Sequence, residues 1–274
     1  MAVFFLTLML GIRNWRAGRG DQAGATKVGV WTTVLALVAG MLTTHHTATR
    51  EEVPLLTDTV GLALFAGAVA WFMYVSLEPM IRRHAPELLV SWAQLMRGEW
   101  RSPVLAGHVL AGVAVGTPLC AILAMFTYGG WVPVTLYALM PSVFLARTWQ
   151  IGALFGLVYF FIFAFLRYLL RNFWLATAGV LCILYFAQFS GTSPVGKALG
   201  AALLLAVGLR FGMVAFGVCA IIASQQIPFT TDLSAWYASA GITFAAMVLA
   251  LTAYGFHYGL AGRKWRANNE EAGA

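Results

Sequence analysis

The sequence predicts an all-α protein, a polytopic transmembrane bundle of about seven to eight membrane segments with an amphipathic helix at the cytoplasmic interface. Three observations lead there. Of 274 residues, 61% are hydrophobic and 10% charged, where a soluble domain carries about 25% charged residues. The apolar residues come in long runs that a water-soluble fold would have to leave partly on its outside. Lys and Arg are confined to short stretches between those runs, the placement that sets sidedness in a bilayer. The mean hydropathy of +0.80 agrees. The net charge of +7 is then a topology signal, with the bilayer and its anionic head groups as the nearest partner. No contiguous basic face for nucleic acid is expected.

A helix needs about 20 apolar residues to cross about 30 Å of hydrocarbon. The opening run, 1–12, is shorter and reaches about 18 Å as a helix, so it reads as a half-span or the end of a longer helix. It lacks the basic start and small-residue cleavage site of a secretory signal. The glycine-rich basic loop "RNWRAGRGDQAGATK" (13–27) follows. Spans are then expected near 28–44, 59–77, 104–126, 150–170, 174–190, 195–223 and 235–261. The run 195–223 is long for one crossing and is expected to tilt or kink. The stretch 128–150 is apolar but holds Pro133, Pro141 and the pair Gly129-Gly130, so a membrane-surface loop with at most one short helix is expected. Tryptophans and tyrosines near the span ends, such as Trp71, Trp149, Trp174 and Trp236, suit the head-group layer. The organisation is thus one multi-pass domain over 1–262 and a polar tail over 263–274.

Sidedness follows from the basic residues. Loops 13–27, 78–103 and 167–173 hold ten of them, and loops 44–58, 127–149 and 191–197 hold three. The first set is therefore expected to be cytoplasmic. The tail, with Arg263, Lys264 and Arg266, would emerge on the other side if every late span were a simple crossing. Either one of them is not, or the tail breaks the rule.

The stretch "SLEPMIRRHAPELLVSWAQLMRGEWRSP" (76–103) crowds four arginines, three glutamates and two tryptophans between apolar runs. Pro79 is expected to end the preceding span, and Pro86 with Glu87 to start a new helix. Leu89, Trp92, Met96 and Trp100 recur at helical spacing, with Gln94, Arg97 and Arg101 on much of the rest. This is an amphipathic helix over 86–100 suited to the interface. Arg82, Arg83, Trp92, Arg97, Trp100 and Arg101 are accordingly the candidate contacts with a partner or lipid. Glu78 stands near helical spacing from Arg82 and Arg83 and is expected to pair with one of the two at the interface.

Together, "RNWRAGRGD" (13–21), "HH" (45–46), the 77–103 segment, "FLRYLLRNFWLA" (165–176) and "PFTTDLSAWYASAG" (228–241) resemble a multi-pass region found C-terminal to some bacterial serine/threonine protein kinases. The resemblance runs over nearly the whole chain, with firm motifs on about a third of it. The chain departs from that pattern at "RSP" (101–103) and "GHV" (107–109), where the family's "RDP" and "GRD" carry acidic residues. The resemblance implies a bacterial inner-membrane location and a kinase as the protein partner. The kinase itself is absent: no glycine-rich loop precedes a strand lysine, and no H-R-D or D-F-G occurs. "GRGDQAG" (18–24) lacks the lysine that phosphate cradling needs. The short first run then reads as the end of a helix whose upstream part is lost or separately encoded.

Arg210, in "LLLAVGLRFGMVAF", is the candidate intramembrane charge, either a functional contact or a structural pair. His45 and His46 with Glu51, Glu52 and Asp58 lack metal-ligand spacing. Cys120, Cys182 and Cys219 read as buried free thiols. His108 and His257 read as packing residues. Asp232 is expected to cap the last span, and Gly112 with Gly116 to make a close-packing face. No cofactor, metal or catalytic set is assigned. The expectation is a non-catalytic anchor, signal-input or accessory subunit; the alternative is a small transporter or permease subunit, pointed to by Arg210 and the proline-broken stretches. An intramembrane enzyme ranks last, for want of GxSxG, paired Asp or HExxH.

Overall fold

The computed structural model describes residues 9, 11–18, 21–44, 50, 52–126, 141–187, 192–225, 232, 234 and 238–272. They are all-helical, without a strand among them. The helices are α1 (Gln22–Thr43), α2 (Glu52–His84), α3 (Val90–Arg97), α4 (Pro103–Phe126), α5 (Pro141–Leu170), α6 (Phe173–Ala187), α7 (Pro194–Ala223) and α8 (Ala238–Ala272). A 3-10 turn, Pro86–Leu89, leads into α3.

Five stretches among the described residues are long and apolar enough to cross a membrane: Gln22–Leu42, Glu52–Arg83, Pro103–Phe126, Pro194–Ala223 and Gly241–Leu260. Gly156–Leu170 and Phe173–Ala187 are apolar but shorter. Of the expected seven to eight segments, five are met by length and composition among the described residues. The outer faces carry the character of a membrane protein. On α1, Val30, Val34, Val38 and Leu42 recur every fourth residue and are all exposed. A water-soluble helix turns polar residues outward, so this exposed apolar stripe suits lipid.

The contacts gather into two compact units. The first comprises 1–85, 133–180 and 230–240. Here α1 and α2 run antiparallel, and α5 packs on both. Gly29 and Gly67 let the backbones of α1 and α2 close up: a Cβ on Gly67 would lie 2.7 Å from the Gly29 carbonyl oxygen. Two expectations are corrected. Helix α2 does not stop at Pro79 but runs through it to His84. Residues 141–150 belong to α5, with Pro141 at its first position, where a proline's missing N–H costs nothing; 127–140 lie outside the described residues. The α5–α6 turn is tight. Arg171 takes φ 53°, and Asn172 Oδ1 accepts from the amides of Trp174 and Leu175 at 2.8 and 3.3 Å, capping α6.

The second unit comprises 86–132, 181–229 and 241–274. Helix α7 is not one straight rod. Gly212 has φ 82° and ψ −170°, and a Cβ on Gly208 would lie 2.8 Å from the Phe216 ring. Eight residues of straight helix separate those positions by about 12 Å, so the chain folds back on itself at Gly212. Arm 194–211 and arm 213–223 form a helical hairpin on α4. The Ser193 amide donates to the Phe126 carbonyl at 2.9 Å, the His108 and Phe211 rings meet at 6.2 Å, and Cys120 Sγ donates to the Gln225 carbonyl at 2.8 Å. The hairpin therefore enters and leaves beside the later part of α4, with its bend at the level of His108. The run 195–223, expected to tilt or kink, reverses instead. Gly112 and Gly116 do serve close packing: a Cβ at 112 would stand 2.7 Å from the Ala215 carbonyl oxygen.

Candidate functional site

In the first unit, the basic loop and the start of the arginine-rich segment come together. A short helical run, 11–16, lies against α2, where a Cβ on Gly11 would meet the Phe72 ring and the Ser76 hydroxyl. Asn14 is buried, and its Nδ2 donates to the Val75 carbonyl at 3.3 Å. That carbonyl lies four residues before Pro79, whose missing N–H would otherwise have been its helical donor. Asn14 thus satisfies the group the proline orphans, which is how α2 continues through Pro79. The signal was present in the sequence as an asparagine in a loop, but its partner 61 residues away was not.

One turn further along, Glu78 is 3% exposed. Its Oε2 accepts the Asp21 amide at 3.1 Å, and its Oε1 pairs with Arg82 Nε. Asp21 Oδ1 in turn accepts from the Gly24 amide at 2.8 Å, capping α1. A pair of Glu78 with Arg82 or Arg83 was expected at the interface; it forms with Arg82, and its carboxylate is buried and shared with the loop. Removing one partner of such a group leaves a buried charge uncompensated, a larger loss than for a solvated pair. Around this knot Arg13, Arg16, Arg82 and Arg83 are exposed. Trp15, 51% exposed, stands edge-on to Trp71 at 6.4 Å.

In the second unit, the amphipathic segment is shorter than expected: the 3-10 turn, then α3, stopped by Gly98 in the left-handed region at φ 80°. Leu88, Leu89, Ser91 and Trp92 are buried, and they face α7 and α4 rather than lipid. Trp92 was expected to contact a partner or lipid; at 8% exposure it is instead a packing residue, because the apolar face of the segment meets the α7 bend. Leu88 makes the closest approach, with its carbonyl oxygen 2.6 Å from where a Gly212 Cβ would stand. Arg97, Trp100 and Arg101 are exposed. Arg97 Nε pairs with Glu99 at 2.9 Å, and the Trp100 carbonyl accepts from Tyr254 Oη at 2.6 Å. Ser102 accepts from the Leu105 amide at 3.5 Å and donates to Gln94 Oε1 at 2.8 Å. It serves α4 as a cap.

Arg210 does not sit in the middle of a straight span. It is two residues from the bend, exposed, with its guanidinium 5.9 Å from the Phe211 ring centre. Its charge therefore lies where the helix ends and not along it. The remaining candidates are dispersed. Asp232 accepts from the amide and hydroxyl of Ser234 at 2.9 and 2.6 Å, a turn ahead of α8. Cys120 and Cys219 are buried, whereas Cys182 is exposed. His45, His46 and Glu51 lie outside the described residues, and no group of three metal-ligating side chains occurs among those described.

No protein-family model, curated protein or solved structure matches the chain.

Proposed function

We propose that this protein is a non-catalytic multi-pass module of the bacterial cytoplasmic membrane. It anchors, or passes a signal to, a cytoplasmic protein, in the manner of the membrane regions that accompany serine/threonine kinases. The observation that carries this reading is the docked basic loop. Asn14 and Asp21 are tied to the end of α2, so four exposed arginines are presented from an ordered surface rather than from a mobile tether. Ordered guanidinium groups recognise carboxylates or phosphates on a partner with less loss of side-chain freedom. Arg97, Trp100 and Arg101, exposed on the second unit, extend the candidate contacts. The lack of H-R-D and D-F-G stretches argues for an accessory task rather than phosphoryl transfer.

The test is co-purification from native membranes in mild detergent. The wild-type chain is expected to bring down a kinase, and a variant with Arg82, Arg83, Arg97 and Arg101 all changed to Ala to lose at least about 90% of it, since each charged contact is worth about 1 kcal/mol or more when ordered. Equal recovery from both sinks the reading. A second reading, solute carriage, is favoured by the α7 fold-back, because broken helices in carriers often flank a substrate site. Flux into proteoliposomes that disappears in Arg210→Ala would promote it.

A further inference from the structure

Four buried polar side-chain atoms in the second unit have no hydrogen-bond partner among the described residues; one, Thr192 Oγ1, lies near Phe126 at the open end of the hairpin, and the other three lie on the two elements that meet the bend of α7. Those three are Ser91 Oγ, Trp92 Nε1 and His108 Nδ1; Ser91 is 0% exposed and Trp92 8%. Ser91 and Trp92 follow Leu88 by three and four residues, so they share its face of the segment, and Leu88 lies directly against Gly212. The His108 ring meets Phe211 from the other helix. Residue 212 is thus met by the Leu88 backbone, on the segment that carries Ser91 and Trp92, and residue 211 by the His108 ring. Buried polar groups are nearly always paired, so three around one bend are unlike ordinary packing.

All three can serve as donors. The indole N–H can only donate, the serine hydroxyl can donate, and a neutral imidazole donates from Nδ1 in one of its tautomers. Two more positive features converge on the bend. Arg210 stands exposed beside Phe211, and arm 213–223 begins there, with the positive dipole end of its first turn. Three groups able to donate, with an arginine close by, suit an acceptor-rich anion.

We propose that the junction of α3, α4 and the Gly212 bend is an oxyanion site, in which Ser91 Oγ, Trp92 Nε1 and His108 Nδ1 donate to a phosphate group and Arg210 supplies the opposing charge. The phosphate belongs either to the head group of an anionic phospholipid or to free inorganic phosphate. The site rests on the bend alone and stands or falls independently of the accessory-module reading.

The test is thermal unfolding of the purified full chain in detergent, titrated with short-chain phosphatidylglycerol, with inorganic phosphate, and with short-chain diacylglycerol or sodium chloride as phosphate-free controls. A phosphate ligand at hundredfold excess over its Kd should raise Tm by on the order of 5 °C. A rise with phosphatidylglycerol alone identifies a lipid head group; a rise with inorganic phosphate identifies the free anion. Ser91→Ala and Trp92→Phe should match or exceed the unliganded wild-type Tm, because each removes an unpaired polar atom, and should lose at least half of the ligand shift. Arg210→Gln, altered at an exposed side chain, should weaken the shift without touching the packing. The proposal is overturned if no phosphate compound raises Tm above the controls, or if all three variants keep the full shift.

Discussion

Asn14 and Pro79 form a pair that neither residue announces. The proline takes away the donor for the Val75 carbonyl, and the Asn14 amide replaces it at 3.3 Å. Asn14→Ala should therefore cost about 1–3 kcal/mol, the penalty for a buried acceptor left unmet, read as a lower Tm in detergent. Pro79→Ala restores a backbone N–H at that place, so the double variant should recover much of the loss; simple additivity of the two changes would show that the link is absent. Glu78 is the neighbouring case. Glu78→Ala leaves the Asp21 amide and Arg82 without their shared acceptor and should expose the 13–21 loop to protease at least several-fold faster. Asp232 responds to acid. Hydrogen bonds from the Ser234 hydroxyl and amide hold its carboxyl below the usual carboxylate range. The turn's extra stability is thus present above the unfolded value of about 3.9 and is lost as pH falls through the lower folded one. Amide-exchange protection at Ser234 should fall in that window, and Asp232→Asn should flatten the dependence.

Among the helices, α7 shows why an apolar run is an ambiguous message. Its 30 residues satisfy the length rule for one tilted crossing, yet one glycine turns them into two arms. Gly212 does so because φ 82° lies where a side chain is strained, and because the Leu88 carbonyl leaves no room for a Cβ. Gly212→Ala combines both penalties and should destabilise the second unit by at least about 1–3 kcal/mol, seen as a lower Tm. An unchanged Tm would mean that the bend tolerates a Cβ and that the hairpin is not held there. The amphipathic segment teaches the complementary lesson. Its periodicity is that of a surface helix, but the burial of Trp92 and Leu88 shows its apolar face covering the bend, and only Arg97, Trp100 and Arg101 remain outward.

For the molecule as a membrane protein, the fold-back bears on where the tail emerges. Gln225 lies beside Cys120, towards the end of α4 where the hairpin enters. Along α8, Gly255 is then against Ala106 and Leu110, and Tyr254 bonds to Trp100. The chain has returned to the end of α4 from which segment 86–101 departs. Residues 263–266, with Arg263, Lys264 and Arg266, follow on the side where the basic segment 97–101 of the same unit lies. Single cysteines introduced as Gly98→Cys and Asn268→Cys, in a background with Cys182→Ser, should react with an impermeant maleimide from the same side of sealed vesicles. Labelling from opposite sides would show that α7 crosses once.

Composition by itself determined that these residues form helices, several of them long and apolar enough to cross a membrane. That follows because hydrocarbon forbids unpaired backbone groups and leaves few architectures open. Also legible were Glu78 pairing with one of Arg82 and Arg83, the close contact at Gly112, and the outward Arg82, Arg83, Arg97, Trp100 and Arg101. Local rules failed wherever the partner was distant in sequence. A proline stops a helix only if nothing answers its orphaned carbonyl, and Asn14 answers from 61 residues away. A tryptophan at helical spacing faces lipid only if no protein surface competes, and at Trp92 the α7 bend does. Whether a glycine bends a long apolar helix depends on what packs into the corner, and here Leu88 packs there. Those three decisions belong to the tertiary structure, because each balances a local preference against a contact that exists only once the chain has folded.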